Sequence, residues 1–547
     1  MNLEGVPLLS KINSGFHRLT LHRRLSRIQR QVANQAVLDP DQDPVLFFNA
    51  STRLRGLSQN AAFSLITAWG LQLAGVPVIH FGCHSGMRHC VLGAVVDDPL
   101  DPPPCQGCIA DTARFTQPGR TVWFEFEEDE RLTGTLRGLS VKELKSVEYH
   151  GYALGELVLP SLRWTLRRHH LEDNEVTRGL YRSFIQSASG IADSTHRALD
   201  QYSPRAVVVF NGLQYPEAMV RYIALEKGLR VITHEVGFQP LSAFFTEGEA
   251  TRYPIDIPDS FQLASREKKR LDRYLEKRFQ GDFTMAGIQF WSKMRGLDED
   301  IQSRLRAFED VVPIFTNVVF DTSQVHANTL FSDMFDWLST VADVIQEHPS
   351  TLFIIRAHPD EMRQGKESRE SVARWVEKTA ITELDNVSFI GPDQPLSSYD
   401  LIHRSKFVMV YNSSIGLEAS LLGVPVLCAG QARYTGYETV IYPESRSQYI
   451  DKVYDFLHKE RVEIPDSYAS QARKFLFYQL FKVSLPFDQF LKEIPSTGYV
   501  QLRDFPLSRL ERENSPTIRV LVDGILKGKE FVLETNVQDS HGKHQDG

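Results

Sequence analysis

Short apolar runs alternate with segments of helical period along most of this chain. Val45–Asn49 reads as a strand, Ser58–Ala74 as a helix and Val76–Phe81 as the next strand. Ala206-Val-Val-Val-Phe-Asn211 is a continuous apolar run, which suits a parallel strand buried on both faces. Pro216–Lys227 follows as helix, Gly228 stops it, and Leu229–Thr233 is a further strand ending at His234-Glu235. The rhythm restarts at Val312–Val319. In 331–345, Phe331, Met334, Phe335, Leu338, Val341, Val344 and Ile345 form one helical stripe. Strands Leu352–Arg356, Val387–Ile390, Phe407–Tyr411 and Val424–Cys428 come next, with a helix from Asn412-Ser413-Ser414 to Leu422 before the last. The expected fold class is α/β, with two Rossmann-like doubly wound domains facing across a cleft and ligands at the carboxyl ends of the strands.

A chain of 547 residues exceeds one ordinary core. The expected organisation is a basic arm over 1–40, a first Rossmann-like domain over 41–295 with a Cys-rich insertion at 83–108, a second Rossmann-like domain over 311–490, and a tail over 495–547. Residues 260–310 read as a charged helical connector. The 61 basic residues are outnumbered by 69 acidic ones, which argues against a nucleic-acid partner. No apolar run approaches the roughly 20 residues that cross a bilayer, and the first residues lack the apolar core of a secretory leader. A cytoplasmic protein is expected. Between Lys11 and Arg30 stand six Lys or Arg and no acid, interleaved with Ile12, Phe16, Leu19, Leu25 and Ile28. Such a helix either lies on the anionic cytoplasmic face of the inner membrane or packs as an arm on the body.

Candidate chemistry gathers where strands of the second domain end. Thr316-Asn317 closes one strand, Arg356 and His358-Pro359 another, and Asn412-Ser413-Ser414 a third. The last group opens a helix, whose free N–H groups and dipole suit a phosphate. Gly416 permits either close approach or helix packing. Glu418, one turn deeper, is placed for ribose hydroxyls. Helix capping by the serines and an ordinary exposed role for Glu418 are the plain alternatives. His358 can hydrogen-bond a nucleotide phosphate or protonate it as the leaving group departs.

The strings RAHPD and YNSSIGLEASLLGVPVLCAGQARYTG resemble the bacterial capsule-polysaccharide transferases that include the Kdo transferases, as do FTNVVFDTS and VFNGLQYPEAM…ITHEVGF upstream. The resemblance spans roughly 200–440, with weaker support over 45–110. It implies a GT-B fold, a donor in the cleft, and His358, Ser413 and Ser414 on its phosphate. It also implies a nucleotide-sugar donor and a glycan or glycolipid acceptor as partners. The His-Pro and Ser-Ser pair is similar to nucleotide motifs of bacterial sialyltransferases and polyol-phosphate transferases, which makes a cytidine nucleotide the first donor expectation.

An inverting transfer needs a base across the cleft. Glu235, in His234-Glu235-Val-Gly237, is the candidate, with His234 as substitute and Asp321 a weaker third. Metal dependence would show as Asp-x-Asp at a strand end. Asp298-Glu299-Asp300 reads as a helix start, and Asp39-Pro40-Asp41 and Asp41-Gln42-Asp43 as turns, so no catalytic metal is expected. Four of the five cysteines, Cys83, Cys90, Cys105 and Cys108, lie within 26 residues. Cys105-Gln-Gly-Cys108 has the spacing of half a zinc knuckle, and His80, His84 and His89 stand nearby. A structural zinc on these four cysteines, free thiols, and a disulfide or redox role are the three readings. Cys428 reads as a buried small hydrophobe.

The expectation is thus a glycosyltransferase acting on a capsule or other surface polysaccharide, or its lipid carrier. Alternatives are a CDP-polyol phosphotransferase, a sugar-nucleotide epimerase, and a non-catalytic polysaccharide-assembly subunit.

Overall fold

The computed structural model describes residues 8–50, 56–91, 102–280, 295–363, 365–496 and 498–534, with side chains from Leu19 onward. Strands β1 (Val45–Asn49), β2 (Val78–Cys83), β3 (Arg120–Phe124), β4 (Ala206–Phe210), β5 (Arg230–Val236) and β6 (Ser242–Thr246) precede the second set. That set is β7 (Asp310–Phe315), β8 (Thr351–Arg356), β9 (Val387–Ile390), β10 (Val408–Val410) and β11 (Val426–Cys428). Three short strands follow: β12 (Leu485–Pro486), β13 (Leu491–Glu493) and β14 (Val500–Leu502).

The first sheet has the order β12-β6-β5-β4-β1-β2-β3. Strands β1 to β5 pair in parallel, while β6 runs antiparallel to β5 and β12 antiparallel to β6. Its interior strands bury side chains on both faces, as the apolar runs require. Phe47 and Val208 enter one core, and Leu46, Phe48, Val207 and Val209 the other. The second sheet, in the order β11-β10-β7-β8-β9, is parallel throughout. Helix Met334–Glu347 turns Trp337, Leu338, Val341 and Ile345 into its core, close to the predicted stripe. Both sheets thus have the doubly wound pattern. β3 and β6 were not anticipated: the first is half-exposed at the sheet edge and the second follows β5 by a short return, so neither carries the long apolar run of a central strand.

Two expected boundaries change. The basic arm is helix Leu8–Gln35, and Leu21, Leu25, Ile28 and Val32 are buried in the first core. Arg24 Nη1 donates to Leu502 O at 2.7 Å. Leu25 and Ile28 therefore face protein and not a membrane surface; the side chains of Ile12 and Phe16 lie outside the described residues. The expected tail also packs. After helix Ser467–Phe481 the chain returns to the first domain, adds β12, folds the β13–β14 hairpin, and lays helix Pro516–Lys527 on helix Gln59–Leu73. Ile518, Leu521 and Ile525 are fully buried there, each worth about 1.5–3 kcal/mol of transfer free energy. Of this tail, residues 497 and 535–547 fall outside the described set. Among the described residues no helix is long and apolar enough to cross a membrane.

Candidate active site

Between the two sheets lies a cleft of about 990 Å³. The first domain supplies the end of β5 and the return into β6; the second supplies the loops after β7, β8, β10 and β11. Residues 528–532 of the returning chain close one side.

Glu235 stands at the rim of β5, half-buried and lining the cleft. Its Oε2 accepts from Asn211 Nδ2 at 2.7 Å and its Oε1 from Val236 N at 2.9 Å. Asn211 adopts a positive φ of 60° just beyond β4 and is itself buried, so the amide that orients the carboxylate is rigidly presented. The sharp return after β5 depends on Gly237, where a Cβ would meet Ser242 Oγ at 2.3 Å. His234 points the other way: it is fully buried, its Nε2 meets Ser64 Oγ at 2.8 Å, and burial pulls its pKa down to about 3. Neighbouring strand positions face opposite sides of a sheet, so His234 does not share the cleft with Glu235. Asp321 does line the cleft, its Oδ1 accepting from Ser323 N and Thr322 Oγ1.

Across from Glu235, Asn317, His358, Asn412, Ser413 and Ser414 all line the cleft. Asn317 Oδ1 is buried without a hydrogen-bond partner among the described residues. His358 caps the short helix Pro359–Met362, its Nδ1 accepting from Asp360 N at 3.1 Å. Burial lowers its pKa, so the ring is neutral at pH 7 and an accepting Nδ1 places the proton on Nε2. That ring is equipped to donate a hydrogen bond. The simple capping role for Ser414 does not apply: its side chain makes no cap bond to helix Ile415–Leu421. Asn412 Oδ1 is taken by Gln324 Nε2 at 3.0 Å.

Four other expected ligands are engaged elsewhere. Thr316 is buried and its Oγ1 donates to Arg356 O at 3.1 Å. Arg356 itself spans the 391–394 loop, Nη1 donating to Gly391 O at 2.7 Å and Nη2 to Gln394 O at 2.8 Å. A guanidinium so used braces a backbone and is withdrawn from phosphate. Glu418 is buried between Arg278 Nη2 and the Tyr399 hydroxyl, each at 2.5 Å, and is not free for ribose. Burial by itself would lower the Arg278 pKa, but the facing carboxylate outweighs it and keeps the guanidinium charged. Gly416 serves packing, since a Cβ there would lie 2.5 Å from the Tyr434 hydroxyl.

Arg433 went unrecognised in the sequence. It lines the cleft with its guanidinium 4.5 Å from the Phe238 ring centroid and 5.7 Å from that of Tyr253. Its Nε is buried with no hydrogen-bond partner among the described residues. The available signal was an arginine just past a strand with no acid within four residues on either side.

The four cysteines of the insertion lie in one region, with Cys90, Cys105 and Cys108 near enough to Cys83 to raise its pKa. All five are free, and Cys83, Cys90 and Cys108 are buried. Cys83 Sγ accepts from Gly86 N at 3.2 Å, and burial pushes its thiol far above the usual range. Among the described residues, the group with three ligand atoms close enough for one ion is His169, His170 and Asp333, not any cysteine set. Cys428 is the expected buried small side chain. Asp298 caps helix Glu299–Ala307 by accepting from Ile301 N, as its neighbours suggested.

Comparison with known proteins bears on the half of the cleft that holds His358 and the serines. Residues 271–438 match the family described as "Capsule polysaccharide biosynthesis protein". This segment is similar to that family. It contains Asn317, His358, Asn412, Ser413, Ser414 and Arg433, while Glu235 precedes it. The chain is 27% identical over 290 residues to Protein FixF of Sinorhizobium fredii, an alignment covering 51% of this chain and 62% of that protein. Among solved structures, it is similar to a beta Kdo 2,4 transferase, KpsC of Thermosulfurimonas dismutans, at 15% identity and a TM-score of 0.35, covering 56% of this chain and 87% of the other. It is also similar to the UDP-GlcNAc 2-epimerase of Neisseria meningitidis bound to UDP-GlcNAc, at 12% identity and a TM-score of 0.24, covering 80% and 96%. The matched segment ends at Glu438, so the helices that carry the chain back to the first domain lie outside it.

Proposed function

We propose that this chain is a glycosyltransferase that moves a sugar from a nucleotide-activated donor onto a capsule or other surface polysaccharide, or its lipid carrier. The carrying observation is the cleft itself. One wall brings Asn317, His358, Ser413 and Ser414 together from three strand ends, and the other presents the Glu235 carboxylate, oriented by Asn211. The Ser413 and Ser414 hydroxyls and the His358 Nε2–H would hold the donor phosphate, with the Arg433 guanidinium as a charged partner. Glu235 would take the proton from the acceptor hydroxyl as it attacks the anomeric carbon, giving inversion. Asn211 fixes the direction of that carboxylate.

A panel of CMP, CDP, UDP and GDP in thermal unfolding tests the site, because a ligand that binds the folded chain raises its melting temperature. We expect one nucleotide, the cytidine form first, to raise it at millimolar concentration. No shift with any of the four, at any concentration up to saturation of the assay, would remove the reading. An epimerase would consume a nucleotide sugar without added acceptor, whereas the transferase releases nucleotide only when acceptor is present.

A further inference from the structure

Away from the cleft, a second polar cluster joins the two domains. His169 and His170 follow helix Leu154–Leu166 of the first domain, and Asp333 caps helix Met334–Glu347 of the second. Asp333 Oδ1 is occupied by the N–H groups of Phe335 and Asp336, while Oδ2, which also accepts from Ser332 Oγ at 3.3 Å, is turned toward the histidines. His170 Nε2 lies 3.3 Å and His169 Nε2 3.9 Å from that oxygen, and the three ligand atoms lie within 4.8 Å of one another. On the far side of the His170 ring, Glu370 Oε1 sits 2.7 Å from Nδ1. Glu370 Oε2 also accepts from the backbone N–H groups of His169 and His170, so this carboxylate positions both residues.

We propose that His169, His170 and Asp333 form a binding site for a divalent transition-metal ion of the zinc type, which ties the two domains together. Two imidazole nitrogens and one carboxylate oxygen, with water as a fourth ligand, are a donor set such ions favour. A carboxylate on the outer nitrogen of a ligating histidine fixes the ring and its tautomer, and Glu370 stands in that position. The ion need not be buried to arrive, since the His170 side chain is 59% exposed while those of His169 and Asp333 are 9% exposed.

Binding would require two local exchanges. Without metal, Asp333 and Glu370 hold His170 as imidazolium, so its Nε2 proton leaves to solvent when the metal–nitrogen bond forms. Arg163 Nη2, 3.2 Å from His169 Nε2, must give up that contact, while its Nε can keep the bond to His169 O at 3.0 Å. The other charged groups here, Arg167 and Glu367, pair with each other across the same interface. None of these residues lines the cleft, so the site is independent of the proposed transfer chemistry.

Titration of the full chain with cobalt(II), followed by visible absorption and calorimetry, tests this. One ion per chain is expected, with the strong visible bands of a four-coordinate nitrogen–oxygen site and without thiolate charge-transfer absorption. His169→Gln and Asp333→Asn should each abolish binding, and Glu370→Gln should weaken it about 10–100-fold. A Cys105→Ser, Cys108→Ser double variant should bind as the parent does. Thermal unfolding of each metal-free variant identifies any that misfolds, and His169→Gln spares the helix cap if Asp333→Asn proves unstable. Absence of binding by the parent chain, or binding that survives His169→Gln in a folded protein, would overturn the proposal. So would binding lost only in the cysteine variant.

Discussion

Polar side chains at the strand ends of the second domain divide into two groups with opposite fates. Ser413, Ser414, His358 and Arg433 line the cleft, and among the described residues Ser414 makes no cap bond and the buried Arg433 Nε has no hydrogen-bond partner. Thr316, Arg356 and Glu418, from the same strands and the same short helix, are sealed into internal bonds. Ser414 and Glu418 are one helical turn apart, yet one is open and the other lies between Arg278 and Tyr399. Spacing along a helix places residues on a face. What stands opposite that face decides whether they are ligands or struts.

The largest effect should come from the carboxylate that answers the open group. Glu235→Gln keeps the size and the Asn211 contact but cannot accept a proton. Transfer should fall by about 10²–10⁴-fold, with nucleotide binding retained, as steady-state rates and calorimetry on the same preparation would show. Unchanged turnover would remove Glu235 as base and leave a purely binding cleft. Next, Arg278→Ala should lower unfolding free energy by about 3–5 kcal/mol, because it strands Glu418 as a buried unpaired charge; urea unfolding measures this. If the loss is small, Glu418 is not a sealed strut and returns as a ligand candidate. Smallest should be Ser413→Ala and Ser414→Ala. Each should weaken nucleotide binding by about 1.5–3 kcal/mol, the range for a bond to a charged group. Melting of the nucleotide-free chain should hardly move.

This contrast marks where sequence reading succeeds. The α/β alternation was legible because strands buried on both faces must be apolar throughout, as Ala206–Phe210 and Thr351–Arg356 are. Cleft-lining loops were legible because a doubly wound sheet opens at its strand ends, and Asn317, His358 and the Ser413-Ser414 pair line the cleft there. The partner of each side chain was not. Arg278 and Glu418 are separated by 140 residues, and Asn211 and Glu235 by 24. Nothing local in either sequence announces these contacts. Arg433 was missed because its partners are rings, Phe238 and Tyr253, contributed by the other domain.

The return of residues 485–533 to the first sheet has a consequence for biosynthesis. The core beneath helix Gln59–Leu73 is completed by Leu485, Phe490, Leu502, Ile518 and Leu521, all made after the second domain. At a synthesis rate of about 5–20 residues per second, the earlier strands wait on the order of tens of seconds for them. Throughout that interval the nascent chain presents an unfinished apolar face next to a second domain able to fold on schedule. Order of birth and order of completion are therefore reversed: the half begun first is finished last, and it is the half that a chaperone would be needed to shield.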